Sequence, residues 1–294
     1  MALVADFAPA FIGRALFVSV LLAVGLRAGP PAHTPSAPSE YFQLGGPNQD
    51  EGRRALEVFR RAGIPGEYYL EFDLRIFPRR GDERDVPGRL WGGRNAAGAV
   101  TRVAFSLAEG GERRLLLQNG EDARVWSLDT AGATPVTRLV DSFEALVPGV
   151  ELTAFDLLMP YIYWSDWKLE RLTRVRSRPT HVFLFRPPAS FAAQHPEIKG
   201  VRAYLDTQFN VPVQTELLGA KDQILRTLSL VDLVKVSDQY IPKSVDFRNE
   251  VTRDKVRFQV TAAALNQALP SGVFDPEQLS LAAPVPLKPT PVAP

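Results

Sequence analysis

Cysteine is absent from all 294 residues. This excludes disulfide staples, thiolate metal sites and the acylated cysteine with which a lipid-anchored bacterial protein begins after its leader. Histidine is nearly as scarce, at three copies, and none of His33, His181 and His195 has a partner at metal-ligand spacing. His181, at the start of a strand-like segment, reads as a structural or surface residue. An excess of either charge is missing too. With 34 basic and 33 acidic residues the net charge is +1, so the basic field that phosphate backbones demand is lacking and nucleic acid is not expected as a partner. Clusters such as RRGDER contain their own counter-charges and read as solvated turns. Catalytic signatures are equally scarce. No G-x-S-x-G elbow occurs, and GGRNAAGAV has neither the G-x-G-x-x-G order nor the Lys-Ser/Thr ending of a phosphate loop. Glu71 and Asp73 share a strand face, but Arg75 continues the row, which makes it a solvated outer face rather than a carboxylate pair. Asp156, enclosed by apolar neighbours, reads as the acid of a helix start. No catalytic residue, metal ligand or cofactor is expected, and the chain reads as a non-enzyme.

What is present is ordinary globular material, 45% hydrophobic and 23% charged. Arg14 precedes ALFVSVLLAVGL, a charged start followed by a short apolar run. The run is shorter than the roughly 20 residues a membrane helix needs. An uncleaved anchor over Phe7 to Leu26 would place Pro9 and Arg14 in the bilayer. Residues 1–28 are therefore expected to be a signal peptide, cleaved after Gly25 or Ala28, and the chain to be exported. Pro-rich stretches at 29–40 and 282–294 bracket the body at 41–281 and are expected to be extended and mobile.

Within the body, NQDEGRRALEVFRRAG predicts an amphipathic helix capped by Asn48 or Asp50, with Leu56 and Phe59 on one face and Gly63 and Pro65 ending it. The period then changes to two. In YYLEFDLRIF, Tyr68, Leu70, Phe72, Leu74 and Ile76 form an oily face against Tyr69, Glu71, Asp73 and Arg75. Strand-like segments separated by EGGE, NGED and DTAGAT continue as an antiparallel meander, and the second half repeats the style, for roughly a dozen strands in all. Covering helices are expected at Asp50 to Gly63, around DSFEALVPGVELTAFDLLMPYIYW, and at TAAALNQALPSG. The fold class is α+β, mainly β. It is read as a single large curved antiparallel sheet, an open or half β-barrel, with a few helices on its concave side.

FDLLMPYIYW holds one charged residue in ten. Pro160 should break it at Met159, with a short helix before and an extended or looped aromatic run after. Tyr161, Tyr163 and Trp164 then either plug the end of the sheet or line a greasy mouth. Together with GEYYLEFDLRI, the hairpin RRLLLQNGEDARVWSL and the closing order YIPKSVDFRNEVTRDKVRFQVTAAALNQALPSGVFDPEQL, this run resembles the LolA-like outer-membrane lipoprotein-sorting family. The sequence does not assign the lid-locking arginine of shorter members to any one residue. The resemblance implies a monomeric periplasmic carrier that shelters acyl chains of lipoproteins or other lipids between an inner-membrane donor and an outer-membrane acceptor. A bare 16-carbon chain in water costs on the order of 12 kcal/mol, so shelter is itself a function. The lipid-binding positions expected on that reading are Leu70, Phe72, Leu74, Val103, Phe105, Trp126, Phe155, Leu158, Tyr161 and Trp164, each of which also suits an ordinary core. Two rivals predict different interiors. An envelope assembly or interaction protein of the same fold would have a filled one, and a lipid-processing enzyme would need a buried acid, base or nucleophile cluster at a cavity mouth.

Overall fold

The computed structural model describes residues 39–40, 46–129, 136–209 and 211–293, within a unit that runs from Pro38 to Pro294. The expected signal peptide at 1–28 and residues 29–38 of the Pro-rich stretch lie outside the described residues. The last two residues of that stretch form β1 (Ser39–Glu40), which pairs with Arg174 and Thr173. Helix α1 (Gln49–Arg61) starts at Asn48, whose side chain accepts from the amides of Asp50 and Glu51, and buries Leu56 and Phe59. Acidic residues in its first turn and Arg60 and Arg61 in its last suit the helix dipole.

Two antiparallel meanders follow. The first comprises β2 (Glu67–Phe77), β3 (Arg84–Asn95), β4 (Gly98–Ser106), β5 (Glu112–Gln118), β6 (Arg124–Asp129) and β7 (Arg138–Val140). The second comprises β8 (Trp167–Val175), β9 (Arg178–Phe185), β10 (Ile198–Asp206), β11 (Pro212–Gly219), β12 (Ile224–Val236), β13 (Gln239–Asn249) and β14 (Lys255–Gln267). Two short helices, α2 (Ala154–Leu158) and α3 (Ala189–Gln194), flank β8 and β9 in sequence. The meanders join where β14 pairs with β2, through partners such as Phe258↔Leu74 and Lys255↔Phe77. The result is one sheet of order β1-β8-β9-β10-β11-β12-β13-β14-β2-β3-β4-β5-β6-β7, with β15 (Thr290–Pro291) against β14. Its end strands β1 and β7 do not pair with each other among the described residues, so the sheet is open. This is the mainly β, single-sheet class that the sequence implies.

The strand period sorts side chains as expected on the inner face, where Leu70, Phe72 and Leu74 meet Val103, Phe105, Leu115, Val256 and Phe258. Three expectations are corrected. TAAALNQALPSG is not a covering helix: Thr261 to Gln267 continue β14, with Ala262 and Ala263 paired to Glu71 and Leu70, and only a 3-10 turn follows at Ser271–Phe274. Ladder hydrogen bonds to a neighbour already in place outweigh alanine's helix preference of a few tenths of a kcal/mol. Tyr69, placed on the wet face, is 0% exposed. It lies with Trp91, Ala104 and Val273 beneath the segment after β14, so alternation gave the right face but not its cover.

The third correction concerns the Pro-rich end, which is tied down at Pro284 and again at residues 290–292 rather than free along its length. Arg102 is buried on the outer face and donates to the carbonyls of Val273, Gln278, Leu279 and Leu281. Trp91 Nε1 donates to Pro284 O at 2.7 Å, and β15 pairs with Ala262 and Ala263. An extended proline-rich segment offers free carbonyls, and the buried donor of Trp91 takes one of them, while Arg102 holds the turns just before the segment. The outer face of the second meander combines a small buried cluster of Val175, Val182, Tyr204 and Val213 with ion pairs. Arg202 bridges Glu170 at 2.8 Å and Glu216 at 3.3 Å, and Arg257 grips Asp246 at 2.6 Å.

Candidate functional site

The segment between β7 and β8 forms a lid across the inner face. α2 begins at Thr153, whose amide and hydroxyl donate to Asp156 Oδ2 at 2.9 and 2.7 Å, so Asp156 is the helix-start acid its position suggested. The helix stops at Met159 in the left-handed region, φ 49°, immediately before Pro160. Where an extended or looped aromatic run was expected, the structure has a 3-10 turn over Pro160–Tyr163, because proline favours the first position of a helical turn. This geometry divides the apolar run between two clusters. Leu146, Val150, Leu152 and Leu158 join the core shared by the first meander and β12 to β14. Phe155, Tyr161, Ile162 and Trp164 join Leu56, Phe59, Phe183 and Phe185 over the second. Tyr161 meets Phe185 at 5.6 Å, and Trp164 meets Phe191 of α3 at 5.0 Å.

A cleft of about 90 Å³ lies between the lid and strands β10 to β14. Its walls include Ile76, Phe155, Tyr161, Val201, Leu217, Leu228, Phe247 and Val256, and its polar residues include Glu151, Asp156, Arg226, Arg248 and Asp254. Of the ten positions read from the sequence, Phe155 and Tyr161 line this cleft. Leu70, Phe72, Leu74, Val103, Phe105 and Leu158 are packed in one core cluster, and Trp164 is packed in the other. Trp126 is on the opposite face, where it packs against a cluster of Val100, Leu116, Leu128 and Leu279, because its neighbour Val125 takes the inner position on β6. The sequence reading missed the walls that β11 to β13 supply. Their signal was present in the alternation of ILRTLSL and SVDFRN, where Leu228 faces Phe247 and Leu230 faces Val245. These four side chains are only half-buried, so the inner face continues from the cleft as a partly uncovered apolar strip.

Polar contacts fasten the lid to this side. Arg226 of β12 donates to Asp156 Oδ2 at 3.0 Å and Thr153 Oγ1 at 3.2 Å, and its guanidinium lies 5.5 Å from the Phe143 ring centre. Glu151 accepts from the side chains of Asn249 and Thr252. On the other side the lid is held by apolar burial, by Asn119, whose side-chain amide donates to Leu158 O, and by the buried Arg113 of β5, which pairs with Glu144 at 2.6 Å. Arg226 is one of several arginines that hold the lid, and its pairing with Asp156 is not legible in the sequence, since only the tertiary structure brings β12 to Asp156.

The remaining titratable groups are structural in their contacts. His181 Nε2 is 3.1 Å from Glu51 Oε1 and links β9 to α1. His195 sits between Phe143 and Phe191, with Nε2 3.3 Å from Asp141 Oδ2. Among the described residues no group of three or more His, Asp or Glu side chains is placed to hold a metal ion. Burial pushes up the phenol of Tyr161, and burial followed by Glu216 pushes that of Tyr204 up to about 12. A phenol raised in the folded state contributes stability that is intact below its unfolded value near 10 and is lost as pH rises through the folded one. Unfolding free energy should therefore fall between about pH 10 and 12. In an ultraviolet titration, Tyr161 and Tyr204 should ionise only with or after that loss, and two early phenols at these positions would contradict the packing.

No protein-family model matches the chain, and no curated protein sequence matches it. Solved structures do. A DUF1329 family protein from Desulfovibrio piger superposes with a TM-score of 0.66 at 11% identity, covering 79% of this chain and 98% of its own. An outer membrane lipoprotein-sorting protein domain from Vibrio parahaemolyticus gives 0.67 at 13% identity, over 79% and 97%. A LolA superfamily protein from Nitrosomonas europaea gives 0.58 at 12% identity, over 76% and 96%. At these identities the likeness is one of fold.

Proposed function

We propose that this chain, which has a LolA-like fold, is a non-catalytic carrier. On this reading it works in the periplasm, takes up acyl chains of lipoproteins or other lipids beneath its lid, and hands them on between membrane-bound partners. One observation carries the reading: the cleft opens onto a half-covered apolar strip, yet the lid is fastened over it by the Arg226–Asp156 pair and other polar contacts. A lid meant only to complete a core would bury the strip. Polar fastenings exchange their partners for water at little net cost, whereas an apolar seam would have to be exposed. At about 90 Å³ the cleft is smaller than the roughly 300–1,000 Å³ of ordinary ligand sites, so this is the closed state and loading requires the lid to swing. Lipoprotein sorting is the description given to the Vibrio parahaemolyticus domain of the same fold.

The packed clusters beneath the lid favour a second reading, an envelope interaction protein that carries no lipid. Uptake of a fluorescent fatty acid separates the two. The wild-type chain should bind it saturably, and Arg226→Gln, which leaves Asp156 without its cation, should take it up several-fold faster. Lipid extracts of the purified protein should contain acylated species in mass spectra. Clean extracts with no uptake by either protein would favour the interaction reading.

A further inference from the structure

β14 pairs with β13 only from Lys255 to Gln259, after which β13 diverges. The edge of β14 from Thr261 onward is thus released on the side away from β2. The chain's own C-terminal segment fills that slot: Thr290 and Pro291 pair with Ala263 and Ala262, and Val292 N donates to Thr261 O at 2.8 Å. Val292 is 7% exposed and belongs to the inner core cluster. The segment that delivers it is barely attached, with Leu287 100% exposed and Val285 43% exposed. No strand pairs with Ala264 or Leu265 on this side among the described residues.

The occupant is a poor strand. With Val292 hydrogen-bonded to Thr261, alternation turns the positions of Pro289 and Pro291 away from β14, and there they have no amide to offer. The tail therefore blocks the exposed edge without extending the sheet, one of the ways in which proteins protect such edges. We infer that the slot between β13 and β14 is a β-addition site for an extended, proline-free segment of a partner protein, and that residues 290–292 are its displaceable place-holder. The incoming segment would place a β-branched residue where Val292 sits. It would repeat the tail's bonds to Thr261 and Ala263 and run on along Ala264 and Leu265. Backbone pairing would supply affinity and the Val292 pocket selectivity, as in other strand-addition sites.

The probe is a fluorescein-labelled peptide, Leu-Lys-Thr-Thr-Thr-Val-Ala, which is the tail sequence with both prolines replaced. The tethered tail competes at millimolar effective concentration, so releasing it unmasks the slot. In the full-length chain Val292→Asp should bind the peptide at least about 10-fold more tightly than wild type does. A peptide with Asp in place of Val should bind neither. Hydrogen exchange at Ala263 and Thr261 should quicken in the variant and slow again when peptide is added. If Val292→Asp does not fold, Val292→Ala serves with the same readouts and a smaller gain. Equal affinity for wild type and variant, or exchange unchanged by peptide, would overturn the proposal. A concentration-dependent dimer of the variant that excludes the peptide would also overturn it, by making a second copy of this chain the occupant. Lipid uptake is measured separately, so failure here leaves the carrier reading untouched.

Discussion

Phe72→Ala is expected to lower the unfolding free energy by about 3–5 kcal/mol, the range for emptying a fully packed phenylalanine site. Phe72 is 1% exposed, stacks on Phe258 at 4.3 Å and meets Phe105 edge-on at 5.6 Å. Its ring also covers Gly88, its partner on β3, so closely that a Cβ there would fall 2.3 Å from the ring. Space on every side is taken, and the neighbouring strands are held by ladders on both edges, so collapse around the void is limited. Urea unfolding measures the loss. A cost below about 1 kcal/mol would mean that the ring borders open space, as a cargo-lining residue would. On the proposed carrier reading, the same experiment therefore tests whether a cargo would lie deep between the sheet and the lid or only along the strip of Leu228, Leu230, Val245 and Phe247.

Arg102→Met should have the second largest effect, about 2–3 kcal/mol, with an added sensitivity of the C-terminal segment to proteolysis in the folded state. Burial, followed by the neighbouring Arg114, pulls the Arg102 guanidinium down to about 10, so it remains a cation at neutral pH. Methionine relieves that desolvation and keeps the bulk, which offsets part of the loss. It also strips the donor from the carbonyls of Val273, Gln278, Leu279 and Leu281, of which Val273 and Leu279 are on buried residues. Leu279 O keeps a long bond from Arg114, but Val273 O loses its Arg102 donor, and the bonds lost outweigh one relieved cation, so the balance is destabilising. Limited proteolysis should then cut within residues 280–288 while the strands stay intact. A variant as stable and as resistant as wild type would show that Trp91 and β15 hold the segment unaided.

Both effects rest on contacts whose legibility in the sequence differed. The faces of strand β2 were readable, because period two over Tyr68 to Ile76 fixes which side chains share a face whatever lies opposite. The helix start at Asn48 and the break at Met159 were readable for the same reason, being local consequences of capping and of proline. TAAALNQALPSG was misread because its alanines favour helix, and only the partner strand β2 reveals the ladder they enter. The Pro-rich end was misread because its composition says how it runs and nothing about what it lies on. Trp126 was assigned to the cavity for its residue type, while the neighbouring Val125 had already claimed the inner position on β6.

By itself the sequence determined what this protein is made of: an antiparallel, mainly β chain with one long amphipathic helix, an apolar central segment broken at Pro160, and too few histidines and no cysteine for the commoner metal and thiol chemistries. These follow from periodicity, capping and composition, which act over a few residues. Only the tertiary structure decided that Arg226 meets Asp156 across 70 positions, that the outer face of the first meander is roofed by the chain's own end, and that the apolar strip of β12 and β13 stays half-covered. Those contacts depend on strand order, and strand order is set by which distant segments find each other, something no local pattern records.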